Sequence, residues 1–309
     1  MELHFAEVQE EIRAHLHLGK EEHERVIFAD WFYISNQDTL IEHGNQYDPY
    51  CMCEDPINPF LRGYNFISIK LPFGNLACRY IMNGMGFFNP HVDSNYIMSL
   101  KQYLYFFFKY VARAQPDLMI TWFWGSVVTL IHSFIDRLRA PLRNPLTIEE
   151  RIDAIASRAN ATPRMVRELK ELFVAPAASQ PFLLARELWL DRAFIAMLVF
   201  IFIFQVMLWI KTLFDVSMFW AFVPLFLLLP FFIFYSRSVT SLVSSYKEPD
   251  DRVLAMASAI TGVKRIVFGH THRARHEIIG AVEHLNSGCW SPAFLDVECT
   301  KPVGHKSFV

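Results

Sequence analysis

Two long hydrophobic runs dominate the pattern of hydrophobic and polar positions. Residues 193–210 include one glutamine and no charged residue, and residues 216–235 carry no charge at all. At roughly 1.5 Å per helical residue, each run is long enough to cross a hydrocarbon core of about 30 Å. A pair of buried core helices is the alternative, but the runs are apolar on all faces, which favours a membrane. We therefore predict a transmembrane hairpin over residues 191–237.

The charges around this hairpin predict its orientation. Its outer flanks carry Arg186, Arg192, Arg237 and Lys247, whereas the connector carries only Lys211. Positive residues are enriched in cytoplasmic loops, so we expect both ends of the hairpin, and both soluble parts, on the cytoplasmic side of an integral membrane protein.

Short strand-like runs occur before this hairpin. They cover residues 26–28, 31–34 and 39–42, and turn residues separate them. Upstream, residues 2–19 have the spacing of one amphipathic surface helix that ends at Gly19. Residues 51–95 are rich in Pro, Gly and Asn, which is typical of loops that line a pocket.

A second set of strand-like runs follows the hairpin. A helix is predicted over residues 250–261 and a buried strand over residues 263–268. From His276 onward, short β-rich runs alternate with turn residues, which predicts antiparallel edge strands. We expect the two sets of strands to share one sheet.

The uncharged run at residues 118–135 is at the lower edge of membrane-spanning length. If His43 and His270 belong to one site, the number of crossings between them must be even. This run then lies in the membrane interface or the soluble core, or it crosses together with residues 103–111. Lys101 and Lys109 make the last arrangement costly, so two crossings are favoured.

Residues 147–173 have a soluble pattern of two short helices. Thr147 and Glu150 form a candidate capping box for the first helix, and Thr162-Pro163 opens the second. The outline resembles a helix-turn-helix, but the charges are mixed and no basic recognition face is present. A plain helical hairpin is favoured, and the formal charge of −2 likewise gives no indication of a nucleic-acid polymer as partner.

The five cysteines are predicted to be reduced thiols of a cytosolic compartment. Cys51-Met52-Cys53 does not have the usual spacing of a zinc site, so ordinary loop cysteines are the favoured interpretation there.

Candidate chemistry is concentrated in Gly269-His270-Thr271-His272, directly after the predicted strand at residues 263–268. Two imidazoles one residue apart at a strand end point in divergent directions, which suits two different metal ions better than chelation of one. His43 also follows a predicted strand, and Gly44 beside it permits a sharp turn.

Together with Leu285-Asn286-Ser287-Gly288-Cys289-Trp290-Ser291, these motifs resemble the second half of a calcineurin-like metallophosphoesterase. The resemblance covers about residues 1–50 and 250–309. It implies an α/β fold, a metallophosphoesterase-like β-sandwich flanked by helices and incomplete at its N-terminus. The implied organisation is a first metallophosphoesterase part at 1–95, a helical insertion at 96–190, the hairpin at 191–237 and a second part at 238–309.

The same resemblance implies a site with two divalent metal ions, Mn²⁺, Fe or Zn²⁺. His43 and His270 resemble ligands of the second metal, and His272 resembles a ligand of the first. The implied reaction is attack of a metal-activated water on the phosphorus of a phosphate mono- or diester, either lipid-linked or a nucleotide. Arg273, Asn45 and His276 are candidate substrate-binding residues.

The sequence also departs from the family. The blocks Asp-x-His, Gly-Asp-x-x-Asp and Gly-Asn-His-Asp are absent between Met1 and His43, so no bridging aspartate and no leaving-group histidine is identified. Weak metal binding and little hydrolysis are expected of this chain. We interpret it as an N-terminally shortened enzyme; the alternative is a catalytically inactive membrane protein that serves as a binding or scaffold module. A small transporter is disfavoured, because the two secure spans contain no ionisable residue.

Overall fold

The computed structural model describes most of the chain. The described residues are 6–17, 19–23, 25–62, 67–84, 117–139, 145–239, 251–272 and 274–288, with isolated positions at 105, 108, 109, 113, 293, 294, 300, 302 and 303. They form a mixed α/β fold, as the strand-like and helical patterns predicted.

The described strands are β1 Phe32–Ser35, β2 Thr39–Glu42, β3 Phe60–Arg62, β4 Ile67–Ile69, β5 Arg265–Phe268, β6 Arg275–Ile279, β7 Val282–Asn286, β8 Ala293–Phe294 and β9 Pro302–Val303. The described helices are α1 Ala6–His15, α2 Lys20–His23, α3 Phe73–Tyr80, α4 Leu118–Leu138, α5 Pro145–Arg158, α6 Pro163–Lys170, α7 Pro181–Glu187, α8 Leu190–Phe214, α9 Phe222–Ser238 and α10 Asp251–Thr261.

Five strands from both ends of the chain form one sheet in the order β1-β2-β5-β7-β6. β1 and β2 form an antiparallel hairpin, whereas β2, β5 and β7 are mutually parallel. β6 is an antiparallel edge strand. The shared sheet and the edge strand β6 agree with the sequence pattern. The prediction of antiparallel edge strands is wrong for β7, which lies inside the sheet and is parallel to β5. The two-sheet sandwich stays a prediction, because the remaining described strands form only two-stranded pairs.

Helices α5, α6 and α10 cover the sheet and complete its core. Apolar residues one turn apart on α5, such as Ile152 and Ile155, pack with Leu40 and Ile266 of the central strands. Leu40 and Ile266 are completely buried. The predicted helical hairpin thus packs directly against the sheet.

Some local predictions need correction. Residues 26–28 are not a strand, because the β-hairpin begins only at Phe32. α5 begins at Pro145, so Thr147 lies inside its first turn and the predicted capping box is wrong. Thr162 does cap α6, since its side chain accepts a hydrogen bond from the amide of Met165. The β3–β4 pair was not expected within residues 51–95, because three-residue strands are too short to show an alternating pattern.

Two helical segments, Leu190–Phe214 and Met218–Ser238, are long and apolar enough to cross a membrane. They match the two hydrophobic runs, although α8 continues through Lys211, so the connector is shorter than predicted. Ile203 and Met207 pack against Ala221, while most large side chains of both helices face outward. An apolar outer surface is what a lipid-facing helix pair presents.

Candidate metal centre

The candidate site lies at one edge of the five-stranded sheet, where three parallel strands end together. His43 follows β2, Gly269 and His270 follow β5, and Ser287 follows β7. The amides of Gly269 and His270 donate hydrogen bonds of 3.1 and 2.9 Å to the carbonyl of His43, which extends the β2–β5 pairing past the strand ends. The sequence therefore brings His43 and His270 together through strand register.

Gly44 turns the chain sharply away from β2. Its φ is +87°, in the left-handed region, and a Cβ added there would lie only 3.0 Å from the ring of Phe268. A 3-10 turn, Asn45–Tyr47, follows directly. This reversal carries Asp48 and Cys51 back toward the strand ends.

Hydrogen bonds within this loop hold its shape. The Asn45 side-chain amide donates to the carbonyl of Cys51 over 2.9 Å, and the Tyr50 amide donates to Asp48 Oδ1 over 2.9 Å. The Cys53 amide donates to Gln46 Oε1 over 3.3 Å. These bonds fix the positions of Asp48 and Cys51 relative to the backbone.

His270 is the centre of the arrangement. Its Nε2 lies 2.8 Å from Asp48 Oδ2, and its Nδ1 lies 3.4 Å from His43 Nε2. One donor atom each from Asp48, Cys51 and His270 lie within 4.8 Å of one another, so these three residues are a candidate set of ligands for a metal ion. The two imidazoles of His43 and His270 cross nearly edge to face, at 75°.

The electrostatics of the site depend on partial burial. Burial, followed by the neighbouring charges of His270 and His272, lowers the pKa of His43 to about 4, so this imidazole is neutral at physiological pH. Although burial opposes it, the hydrogen bond from His270 and the amide of Tyr50 keep the pKa of Asp48 below its usual value. Burial and the Asp48 charge raise the pKa of the Cys51 thiol. A neutral imidazole and an ionised carboxylate are both in the state that binds metal.

The structure places the predicted residues in different settings. His43 and His270 meet, and His272 follows in the same turn, close enough to affect the pKa of His43. Asn45 braces the ligand loop through Cys51, so its amide is already engaged. His276 lies on the edge strand β6, largely exposed, with its Nε2 3.0 Å from Glu283 Oε1. Arg273 lies outside the described residues. Roles in metal or substrate binding remain predictions.

Sequence reasoning missed Asp48 and Cys51 as members of the site. A His-x4-Asp-x2-Cys spacing beginning at a strand end is the signal in the sequence. It is weak, because only the left-handed turn at Gly44 and the 3-10 turn make these residues approach His270. The described cysteines Cys51, Cys53 and Cys78 are present as thiols, and their redox state in the cell stays a prediction.

The ligand loop also contacts the segment that leads to the hairpin. The Tyr50 hydroxyl donates to Glu187 of α7 over 3.2 Å, and the Ala177 amide donates to the carbonyl of Pro49 over 2.8 Å. Since α7 is followed within three residues by α8, the loop with Asp48 and Cys51 is joined by direct contacts to the base of the hairpin.

Comparison with known proteins gives no family for this chain. No protein-family model matches it, and neither a curated protein nor a solved structure matches it either.

Proposed function

We propose that this protein is a membrane-anchored, metal-dependent phosphoesterase that hydrolyses a phosphate mono- or diester. The observation that carries the proposal is the convergence of His43, Asp48, Cys51 and His270 at the ends of two parallel strands. A mixed set of nitrogen, oxygen and sulfur donors beside a sheet edge is typical of a transition-metal site.

The donor atoms fit a divalent ion. Asp48, Cys51 and His270 Nε2 would hold one ion. By the family resemblance, His43 would join His270 at that ion, and His272 would belong to the other. A cysteine sulfur, which would lose its proton on binding the ion, and imidazoles favour Zn²⁺ or Fe over a hard cation such as Mg²⁺. An ion held there would polarise a phosphoryl oxygen and activate the attacking water.

Asp48 and His43 hold the His270 ring from its two sides. Without an ion, Asp48 Oδ2 lies 2.8 Å from His270 Nε2 and orients the ring. The proton between these two atoms would be replaced by a bound ion, so that both would become ligands. Burial keeps the His43 imidazole neutral. Its Nε2 lies 3.4 Å from Nδ1 of His270, on the side of the His270 ring away from Asp48. Among the described residues, the candidate ligand set has a single carboxylate, that of Asp48, so we expect weaker metal binding than in a family whose two metals share a bridging aspartate.

The proposed location follows from the apolar helices α8 and α9. The hairpin lies between β2 and β5 in the sequence, and these two strands pair with each other. Two crossings would therefore leave both strands on the same side of a bilayer and hold the site near its surface. Positive residues outside the hairpin favour the cytoplasmic side. A lipid-linked phosphate and a nucleotide diester are both compatible substrates.

The second candidate function is a catalytically inactive binding or scaffold module. The observation that favours it is that Asp48 and His270 already satisfy each other over 2.8 Å, so the cluster is stable without an ion. Both functions predict the same fold and the same membrane anchor, so metal binding and hydrolysis have to be measured separately.

Cobalt titration of the full chain in detergent tests the site. Co²⁺ bound to Cys51 would give a thiolate-to-metal absorption band, which we expect in the wild type and in the control Cys78→Ser. The exposed thiol of Cys78 lies near Cys51 but is not one of the candidate ligands. The band should vanish in Cys51→Ser, and Asp48→Asn should weaken binding by at least about tenfold. A band that persists in Cys51→Ser would rule out the ligand set.

Hydrolysis of a chromogenic phosphodiester in the presence of Mn²⁺, Fe²⁺ or Zn²⁺ tests the reaction. Activity that is lost in both His270→Gln and Asp48→Asn supports the enzyme. Metal binding without hydrolysis under any of these ions would favour the inactive module instead.

A further inference from the structure

Helix α4 has an inverted distribution of polarity. Its outward residues are large and hydrophobic, and they are between 45 and 74 % exposed. We call them the outer face of α4: Ile120, Phe123, Trp124, Ile131, Phe134 and Leu138. A helix on the surface of a water-soluble domain normally shows the opposite arrangement.

In the middle of α4, the most deeply buried side chains are small and polar, with Trp122 and Leu130 partly buried beside them. Ser126, Thr129 and Ser133 are buried, and the Thr129 hydroxyl donates to the carbonyl of Gly125 over 2.7 Å. A Cβ on Gly125 would lie 2.4 Å from the Tyr80 carbonyl oxygen, so α3 packs against the helix backbone there. Small residues that permit close backbone approach are characteristic of helix packing within membranes. The large side chains are consequently directed away from the protein.

The outer face adjoins the hairpin. α4 contacts both α7 and α8, and the middle of α8 is also apolar and outward-facing, as at Phe202 and Phe204. A joint apolar surface of this extent exceeds what soluble monomers expose to water. The continuity of the two surfaces indicates one shared environment.

We infer that the outer face of α4 lies against the lipid acyl chains of the same bilayer that α8 and α9 cross. The inference rests on the proposed membrane anchor. α4 does not cross alone, because a single extra crossing would separate His43 from His270, whose ring nitrogens lie 3.4 Å apart. α4 thus acts as a lateral contact that holds the sheet and the candidate site at a fixed height and tilt on the membrane.

Photo-crosslinking of the full chain in phosphatidylcholine nanodiscs tests this inference. The photoreactive analogue p-benzoylphenylalanine would replace Phe134 on the outer face, Phe202 in the middle of α8, or Arg164, whose side chain is 83 % exposed on α6. We expect a mass increase of one lipid at Phe134 and at Phe202, and none at Arg164. Phe123 provides a second position on the outer face if the Phe134 variant does not fold.

The possible results distinguish lipid contact by α4 from membrane crossing by α8 and α9. Lipid adducts at Phe202 but at neither Phe134 nor Phe123 would overturn the inference and leave the anchor intact. Covalent dimers at Phe134 would instead assign the outer face to a second copy of this chain. Absence of adducts at Phe202 would remove the anchor and the inference together.

Discussion

The five-stranded sheet and the α8–α9 hairpin are both rich in hydrophobic residues, but the sheet buries these side chains whereas the hairpin exposes them. In the sheet, Leu40 and Ile266 are completely buried, and the exposed edge strand β6 carries charged and polar side chains at its first three positions, followed by an exposed Ile278. In the hairpin, Phe202 is 70 % exposed. The difference agrees with the proposed membrane anchor, since burial of apolar surface stabilises a fold only where that surface would otherwise meet water. With that anchor, one chain would combine a water-adapted core with a lipid-adapted surface.

The largest expected effect comes from a charge in the middle of the hairpin. Phe202→Arg should greatly reduce membrane insertion, because an arginine at the centre of a membrane helix costs about 3 kcal/mol. Phe214→Arg is the matched control: Phe214 is equally exposed but ends α8, where the guanidinium can reach the interface. Resistance to alkaline extraction from membranes measures the difference. Equal extraction of both variants would mean that α8 is not a membrane span.

Glu42, the last residue of β2, is predicted to make the stability of the protein depend on pH. Burial raises the pKa of Glu42 to about 7, although the Tyr47 hydroxyl opposes this by a hydrogen bond of 2.8 Å. Because the folded-state pKa lies above the ordinary value of 4.5, this contribution to stability is complete below about pH 4.5 and is lost as the pH rises through 7.

Glu42→Gln should therefore remove a pH-dependent loss of stability on the order of 2 kcal/mol between pH 5 and 8. Urea unfolding of the detergent-solubilised, chelator-treated protein, followed by tryptophan fluorescence, measures it. Glu277→Gln, at an exposed carboxyl on β6, is the control and should keep the wild-type dependence. An unchanged slope in Glu42→Gln would contradict the assignment.

Two glycines test how tightly the site edge is packed. Gly44→Ala introduces a Cβ beside Phe268 at a positive φ, whereas Gly262→Ala has a similar φ of +74° and nothing within 4 Å. We expect Gly262→Ala to cost about 1 kcal/mol from backbone strain alone. Gly44→Ala should cost about 1–2 kcal/mol more and weaken cobalt binding, because His43 and Phe268 must both shift. Equal thermal midpoints would show that the Phe268 ring yields without cost.

The smallest expected effect concerns the contact between the two regions. Tyr50→Phe removes the hydrogen bond to Glu187 and should lower stability by about 1 kcal/mol or less, with a few-fold loss of cobalt affinity. Tyr235→Phe removes a comparable bond to Asp191, 2.9 Å long, at the base of the hairpin. It should leave cobalt affinity unchanged. If both variants bind cobalt equally well, the ligand loop does not depend on α7.

The sequence predicts elements whose pattern is local. The two hydrophobic runs, the strands that end at His43 and His270, and the α5–α6 hairpin all follow from periodicity and end signals. The burial of Glu42 and the arrival of Asp48 and Cys51 beside His270 do not, because both depend on a left-handed glycine and on packing between distant segments. The inverted polarity of α4 is present in its sequence, but without its partners the inner face cannot be assigned.

The parallel pairing of β2 with β5 has a consequence for synthesis of the protein. His43 and His270 are separated by 227 positions, and the hairpin is translated between them. β2 is therefore translated long before β5, and the edge that pairs with β5 stays unpaired until the hairpin has been made. With the proposed membrane anchor, insertion of only one of the two helices would leave β5 on the opposite side of the bilayer from β2. The His43–His270 pair would then form only in chains in which both helices have crossed, or neither.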